Sequence, residues 1–265
     1  AVRSSDSDHS REGSVSSLAD RLTQALQSGR IASGKAMLDG TEPLLQQLGP
    51  EVPQAVRLLL LVAQWVDVGY RDHALLDELL QSFPATCRRR LSIDDYLRLR
   101  MVDAFRALSV EDVDLAIDSL DLVLKAEADL PDASMSALAH FWKGRAHRRK
   151  GEYETSLLHI VRAREIAQTV HDDVLTAVIQ IHEAWLIFQE GHRREALRLL
   201  AHAEHVLKET DHFIALGNIE SARGRIIRRS GEYTRSLEHF ERANALYAQG
   251  DPDHLNMART LVNAA

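Results

Sequence analysis

His202 and His205 stand three residues apart in a stretch that reads as helix, so their imidazoles share one face and could hold two corners of a metal site. A third ligand is missing: Glu204 points elsewhere at helical spacing, and His182-Glu183 lacks the second histidine of a His-Glu-x-x-His pair. Cys87 is the only cysteine, and the charge of Arg88, Arg89 and Arg90 beside it would favour its thiolate, but no histidine is placed to activate it. A lone cysteine excludes an internal disulfide framework and a thiolate metal cluster, and it fits a reducing compartment. There is no Gly-x-Ser-x-Gly elbow, and Gly29 to Gly34 lacks the Gly-Lys-Ser/Thr that completes a phosphate loop. Asp94-Asp95, Asp172-Asp173 and the Asp251/Asp253 pair read as acids at helix starts, where the dipole favours them. The expectation is no catalytic residue, no metal, no cofactor and no enzyme activity.

What remains is recognition chemistry. Arg145, Arg148 and Arg149 recur as Arg225, Arg228 and Arg229, and Trp185 and Phe188 lie between the two clusters in the chain. The elements that position them arise from a repeat. Gly144, Ala184, Gly224 and Ala264 stand at even steps of forty residues. Around the first, Gly144 is followed by Gly151-Glu-Tyr153, Ser156-Leu157 and Ala163; around the third, Gly224 by Gly231-Glu-Tyr233, Ser236-Leu237 and Ala243. The middle copy is looser, with Ala184, Gly191, Ala196-Leu197 and Ala203. A fixed period in this range predicts stacked units that bury their apolar faces on their neighbours.

Leu- and Ala-rich composition with only 5% aromatic residues favours helix, and no convincing period-two strand occurs. Start signals stand at Ser17-Leu-Ala-Asp20, Ser92-Ile-Asp-Asp95, Ser109-Val-Glu-Asp112 and Asp251-Pro252, and stop signals at Gly29, Gly69, Gly151, Gly191, Gly231 and Gly250. Each later repeat therefore holds two helices joined by a glycine turn. Ala74, Ala116, Ser156, Ala196 and Ser236, with Ala36 before them, form a series of small residues where paired helices would approach closely. Residues 1–13 carry no useful apolar spacing and read as a disordered lead-in; 14–265 read as one helical repeat domain. Asn256 to Ala265 reads as the opening half of a seventh repeat, so the natural chain is expected to continue, or else this helix caps the array.

A net charge of −7 argues against wholesale binding to nucleic acid or anionic membrane, though not against a local basic patch. No apolar run approaches the length needed to span a bilayer; Val56 to Val66 is interrupted by Arg57 and Gln64. A cytoplasmic protein without a membrane partner is expected.

Gly144, Gly151, Tyr153, Ser156 and Ala163, with Gly224, Gly231, Tyr233, Ser236, Phe240 and Ala243, resemble the tetratricopeptide repeat (TPR) family. Two departures count: His140 and Glu220 stand where the motif's usual Trp would be, and the step is forty residues rather than the family's usual length of about thirty-four. The resemblance implies an all-α right-handed superhelix of about six antiparallel helix pairs plus one extra C-terminal helix. It also implies that first helices line a concave groove. The motif's register puts Phe141, Arg145, Arg148 and Arg149 on that wall, then Ile181, Trp185, Phe188 and Gln189, then Ser221, Arg225, Arg228 and Arg229. Met101, Phe105 and Leu108 would take matching earlier places.

Two readings of these residues stay open. Arginines flanking Trp185 and Phe188 suit a protein or peptide with an apolar anchor and acidic or phosphorylated side chains. Alternatively, the arginines complement helix C-termini and the aromatics pack between repeats. The resemblance implies a non-catalytic interaction scaffold, or else a sensory repeat domain that controls an effector. Chaperone-tail binding is disfavoured, because the carboxylate clamp needs Lys and Asn where this chain has Phe141 and Arg145, or Ser221 and Arg225.

Overall fold

The structure is a computed structural model and describes residues 3–70, 73–130 and 132–264. Among these residues the chain forms fourteen α-helices and no strand. In order they are α1 (Arg3–Gln27), α2 (Ile31–Asp39), α3 (Glu42–Leu45), α4 (Ala55–Trp65), α5 (His73–Gln81), α6 (Ile93–Ser109) and α7 (Val113–Lys125). Then come α8 (Ala133–Lys150), α9 (Tyr153–Thr169), α10 (Asp173–Gln189), α11 (Arg193–Leu207), α12 (Phe213–Arg228), α13 (Tyr233–Gly250) and α14 (Leu255–Ala264). Hairpins α4/α5 through α12/α13 each pack helix on helix, α1 and α2 precede them and α14 packs on α13. Six two-helix segments and one further helix result, with α3 a single turn between the first two.

The chain divides into two compact units, one of Ala1–Leu26 and Ser33–Pro131, the other of Gln27–Ala32 and Asp132–Ala265. In the first unit, α1 buries Val15, Leu18, Ala19, Leu22 and Ala25, a stripe at helical spacing. The helix also takes in Arg3 to Gly13, a stretch whose lack of apolar spacing predicts no structure. Ser17 therefore sits inside α1 and starts nothing; Asp20, the other end of that apparent capping box, instead pairs with Arg57 at 2.8 Å. The apolar run of α4 is buried nearly all round, and Trp65 at its end packs on Gly34 so closely that a Cβ there would stand 2.0 Å from the indole. The chain then kinks at Gly69 (φ 121), and this shifts the register of α5. Ala74 is exposed, not buried at a crossing, and Leu76 and Leu79 are the buried residues of α5; Ala36, on α2, is exposed as well.

From α6 onward the forty-residue step holds atom by atom. Ala116, Ser156, Ala196 and Ser236 are all buried where the second helix crosses the first. Ser156 Oγ donates to the Gly144 carbonyl at 2.7 Å, and Ser236 Oγ to the Gly224 carbonyl at 2.8 Å. A Cβ at Gly144 would stand 2.7 Å from Ile160 Cγ1, and one at Gly224 would stand 2.6 Å from Phe240 Cε1. The other two pairs carry Ala104 with Ala116 and Ala184 with Ala196, all buried, and Leu120 or Leu200 at the third position. Gly goes with Ser, and Ala with Ala.

Two more series run on the same step. Side chains of Ser92, Asp132, Asp172 and His212 accept the backbone N–H three residues on and so cap α6, α8, α10 and α12. Arg100, His140, Gln180 and Glu220, in the place of the family's Trp, each reach a polar group on the partner helix: Ser119 (3.1 Å), His159 (2.9 Å), His202 (2.8 Å) and His239 (2.9 Å). The turns after α8, α10 and α12 hold Gly151, Gly191 and Gly231 at φ 80, 92 and 81, where a side chain would be strained. Asp251-Pro252 does not open a helix; Pro252 lies in a turn and α14 starts at Leu255.

Gly224→Ala is expected to cost about 1–3 kcal/mol in urea unfolding, because Phe240 blocks the new methyl. Adding Phe240→Leu, which recreates the Ala184/Leu200 version, should recover most of that loss. His212, 3% exposed, is held down to about 4 chiefly by burial. The unfolded chain therefore binds the extra proton first, and stability is full above about pH 6.5 and falls between there and about pH 4, by up to about 3 kcal/mol. His212→Asn keeps a capping acceptor without a titrating ring, and unfolding at a series of pH values should show that fall reduced.

Candidate functional site

The wall is built by the period. With 3.6 residues per turn, positions 141, 145 and 148 of α8 share a face, and a step of forty carries the same face to α10 and α12. Between α10 and α12 lies a cavity of about 520 Å³. Trp185 and Phe188 line it from α10, Arg225 and Arg228 from α12, and Arg229 and Tyr233 from the turn after α12 and the start of α13. The Arg229 guanidinium lies over the Phe188 ring, 5.0 Å from its centroid, and its Nη2 is 3.5 Å from Gln189 Oε1. Arg228 Nη1 donates to the carbonyl of Asn263 in α14. Arg148 covers Trp185 at 5.3 Å, Tyr153 meets the same indole edge to face at 5.5 Å, and Arg145 lies over Phe141 at 5.3 Å.

Trp185, Phe188, Arg225, Arg228 and Arg229 thus converge on one cavity. Arg148 joins them through Trp185. Phe141 is buried beneath Arg145, and Met101, Ile181 and Ser221 at the same register position are buried as well, so that position is core; in α6, Phe105 and Leu108, in the registers of Arg145 and Arg148, are also buried. Arg149 is exposed at the end of α8 and does not line the cavity. Tyr153, Tyr233, Asn263 and His182 are additions to the wall residues that the motif's register gives. The two tyrosines carried a signal, since they hold the same motif place; His182 did not.

The charge on the wall is one-sided. Among the described residues, Arg148, Arg225, Arg228 and Arg229 pair with no carboxylate. Burial first, and then Arg145, Arg225 and Arg149, lower Arg148 to about 10. His182 is held well below its ordinary value by burial and by Arg148, Arg145 and Arg225. Elsewhere on α10 and α12 the charges are matched: Glu183 with Arg164 of α9 (2.8 Å), and Arg223 with Glu204 of α11 (2.6 Å) and Glu220 (2.8 Å). Carboxylates serve one side of each helix and are withheld from the other.

His202 spends its Nδ1 on Gln180, and among the described residues no group of three or more His, Cys, Asp or Glu could hold a metal ion. Cys87 Sγ donates to the Pro84 carbonyl at 3.0 Å, and Arg88 pairs with Asp103. Among the described residues no helix is long and apolar enough to cross a membrane.

No protein-family model matches this chain, and no curated protein matches it. Solved structures do. A Rap protein in complex with competence and sporulation factor superposes with a TM-score of 0.70 at 12% identity, over 95% of this chain and 70% of the other. The apo form of the quorum sensor NprR from B. thuringiensis gives 0.64 at 17% identity, over 96% and 70%. The apo form of RapI gives 0.59 at 14%, over 94% and 69%. At these identities the likeness is one of fold, and the fold of this chain is the all-α, TPR-like repeat solenoid.

Proposed function

We propose that this chain is a non-catalytic interaction module that holds a peptide or protein segment in a concave groove walled by the first helices of its C-terminal hairpins. One observation carries the reading: three aromatic rings and three arginines converge on a cavity of about 520 Å³. A structural pairing of those arginines would place carboxylates beside them, as the opposite side of each helix does, and Arg225, Arg228 and Arg229 have none among the described residues. The matching segment carries an apolar side chain for Trp185 and Phe188 and acidic or phosphorylated groups for Arg145, Arg148, Arg149, Arg225, Arg228 and Arg229.

A second reading is favoured by the comparisons. One similar structure is described as a quorum sensor and another holds competence and sporulation factor, which supports a regulatory domain whose ligand state is passed to an effector. Both readings use the same wall and differ in the consequence of binding.

Trp185→Ala with Phe188→Ala is expected to weaken binding of the best peptide from an immobilised library by about thirtyfold or more. Circular dichroism and the cooperativity of unfolding should stay as in the parent protein, since both rings are only partly buried. Undiminished affinity in a folded double variant would move the binding surface elsewhere.

A further inference from the structure

Behind Arg148 stands His182, on α10 one turn before Trp185. Its Nδ1 lies 3.3 Å from Arg148 Nη1. A guanidinium has only donors, so Nδ1 accepts and the ring is neutral, with its proton on Nε2. The ring also meets Phe141 edge to face, centroids 5.0 Å apart. The charged groups acting on His182 are Arg145 and Arg148 from α8 and Arg225 from α12, and all are cations. Glu183, the next residue, is turned to Arg164 at 2.8 Å and sends its charge to α9. Arg148 thus touches a neutral imidazole on α10 that also feels the charge of Arg145 and of Arg225, and the burial of the ring raises the cost of protonating it there. An anion placed there would relieve the repulsion on Arg148 and His182.

We propose that Arg145, Arg148, His182 and Arg225 form a subsite for a tetrahedral dianion, a phosphate monoester or its free equivalent, beside Trp185. The proposal rests on the wall being a binding surface and names the charge class that this part of it takes. A planar carboxylate offers two oxygens and one charge, whereas donors arriving from α8, α10 and α12 suit three terminal oxygens and two charges. His182 completes the set. Once an anion is present, the field on the imidazole reverses and protonation becomes favourable, so the ring changes from acceptor to donor. Dianion entry is therefore coupled to uptake of up to one proton.

Sulfate is the probe, because its charge does not change across the pH range. Titrated calorimetrically at constant ionic strength, with chloride as the balancing salt, it is expected to fill one saturable site. Its affinity should rise about tenfold between about pH 7.5 and about pH 5.5. Arg148→Gln with Arg225→Gln should abolish the saturable binding; if that variant fails to fold, Arg225→Gln alone, at an exposed position, should weaken it by about tenfold. His182→Asn should keep binding at the higher pH and lose the pH dependence. Arg235→Gln, which removes an exposed arginine paired with Glu232, should change neither. A phosphoserine peptide that binds more tightly than inorganic phosphate supports the site as part of a segment-binding wall; equal affinities support it as a site for a free ligand. No saturable sulfate binding, or binding indifferent to the arginine substitutions, overturns the subsite. Peptide binding that still depends on Trp185 and Phe188 would in that case leave the reading of the wall standing. A flat pH dependence in the parent protein removes His182 from it.

Discussion

Where the two helices of each hairpin from α6/α7 to α12/α13 cross, only glycine, alanine or serine stands at the point of closest approach. Ile160 and Phe240 lie within 2.7 Å of where a Cβ would stand on Gly144 and Gly224, and the serine hydroxyls close on the glycine carbonyls from the other helix. That contact fixes the distance and rotation of each first helix against its second. The rotation in turn decides which face of α8, α10 and α12 is left facing away from the pair. The arginines and aromatics of the wall are where they are because this crossing leaves their face unoccupied.

The second constraint is electrostatic. Every first helix from α6 to α12 turns a polar side chain toward its own partner, and in the later pairs those contacts join ion pairs to the neighbouring hairpin. Glu220 alone binds His239, Arg223 and Arg242. The acidic side chains are thereby drawn to one side, although the chain as a whole is acidic at −7. Net charge describes solubility here, while the local field on the wall has the opposite sign.

The repeat is legible because small residues at the crossing and glycine in the turn fall on the same step; the caps at 92, 132, 172 and 212 keep that step too, but as Ser, Asp, Asp and His they do not announce it in the sequence. Ala74 misled because it follows a kink at Gly69, and a kink leaves no trace in the spacing of small residues; Ala36 stands on the short α2, before the single turn of α3, outside the regular hairpins. Ser17-Asp20 and Asp251-Pro252 have the composition of helix starts, but one lies within a longer amphipathic helix and the other in a turn. For the cavity, residue type and register pointed to Trp185, Phe188, Arg225, Arg228 and Arg229, which line it, and to Arg149, which does not. His182 stands forty residues from Trp142, a core position, so its place among cations could be seen only once three helices were side by side.

Two of the ion pairs that link successive hairpins have opposite polarity. α9 offers Arg164 to Glu183 of α10, whereas α11 offers Glu204 to Arg223 of α12. Near-identical building blocks risk docking in the wrong sequence during folding, or exchanging with the same block of another molecule. Were α12 to settle on α9, Arg223 would confront Arg164; were α10 to settle on α11, two glutamates would meet. The alternation acts as an address, so that blocks with almost the same shape still have only one correct neighbour.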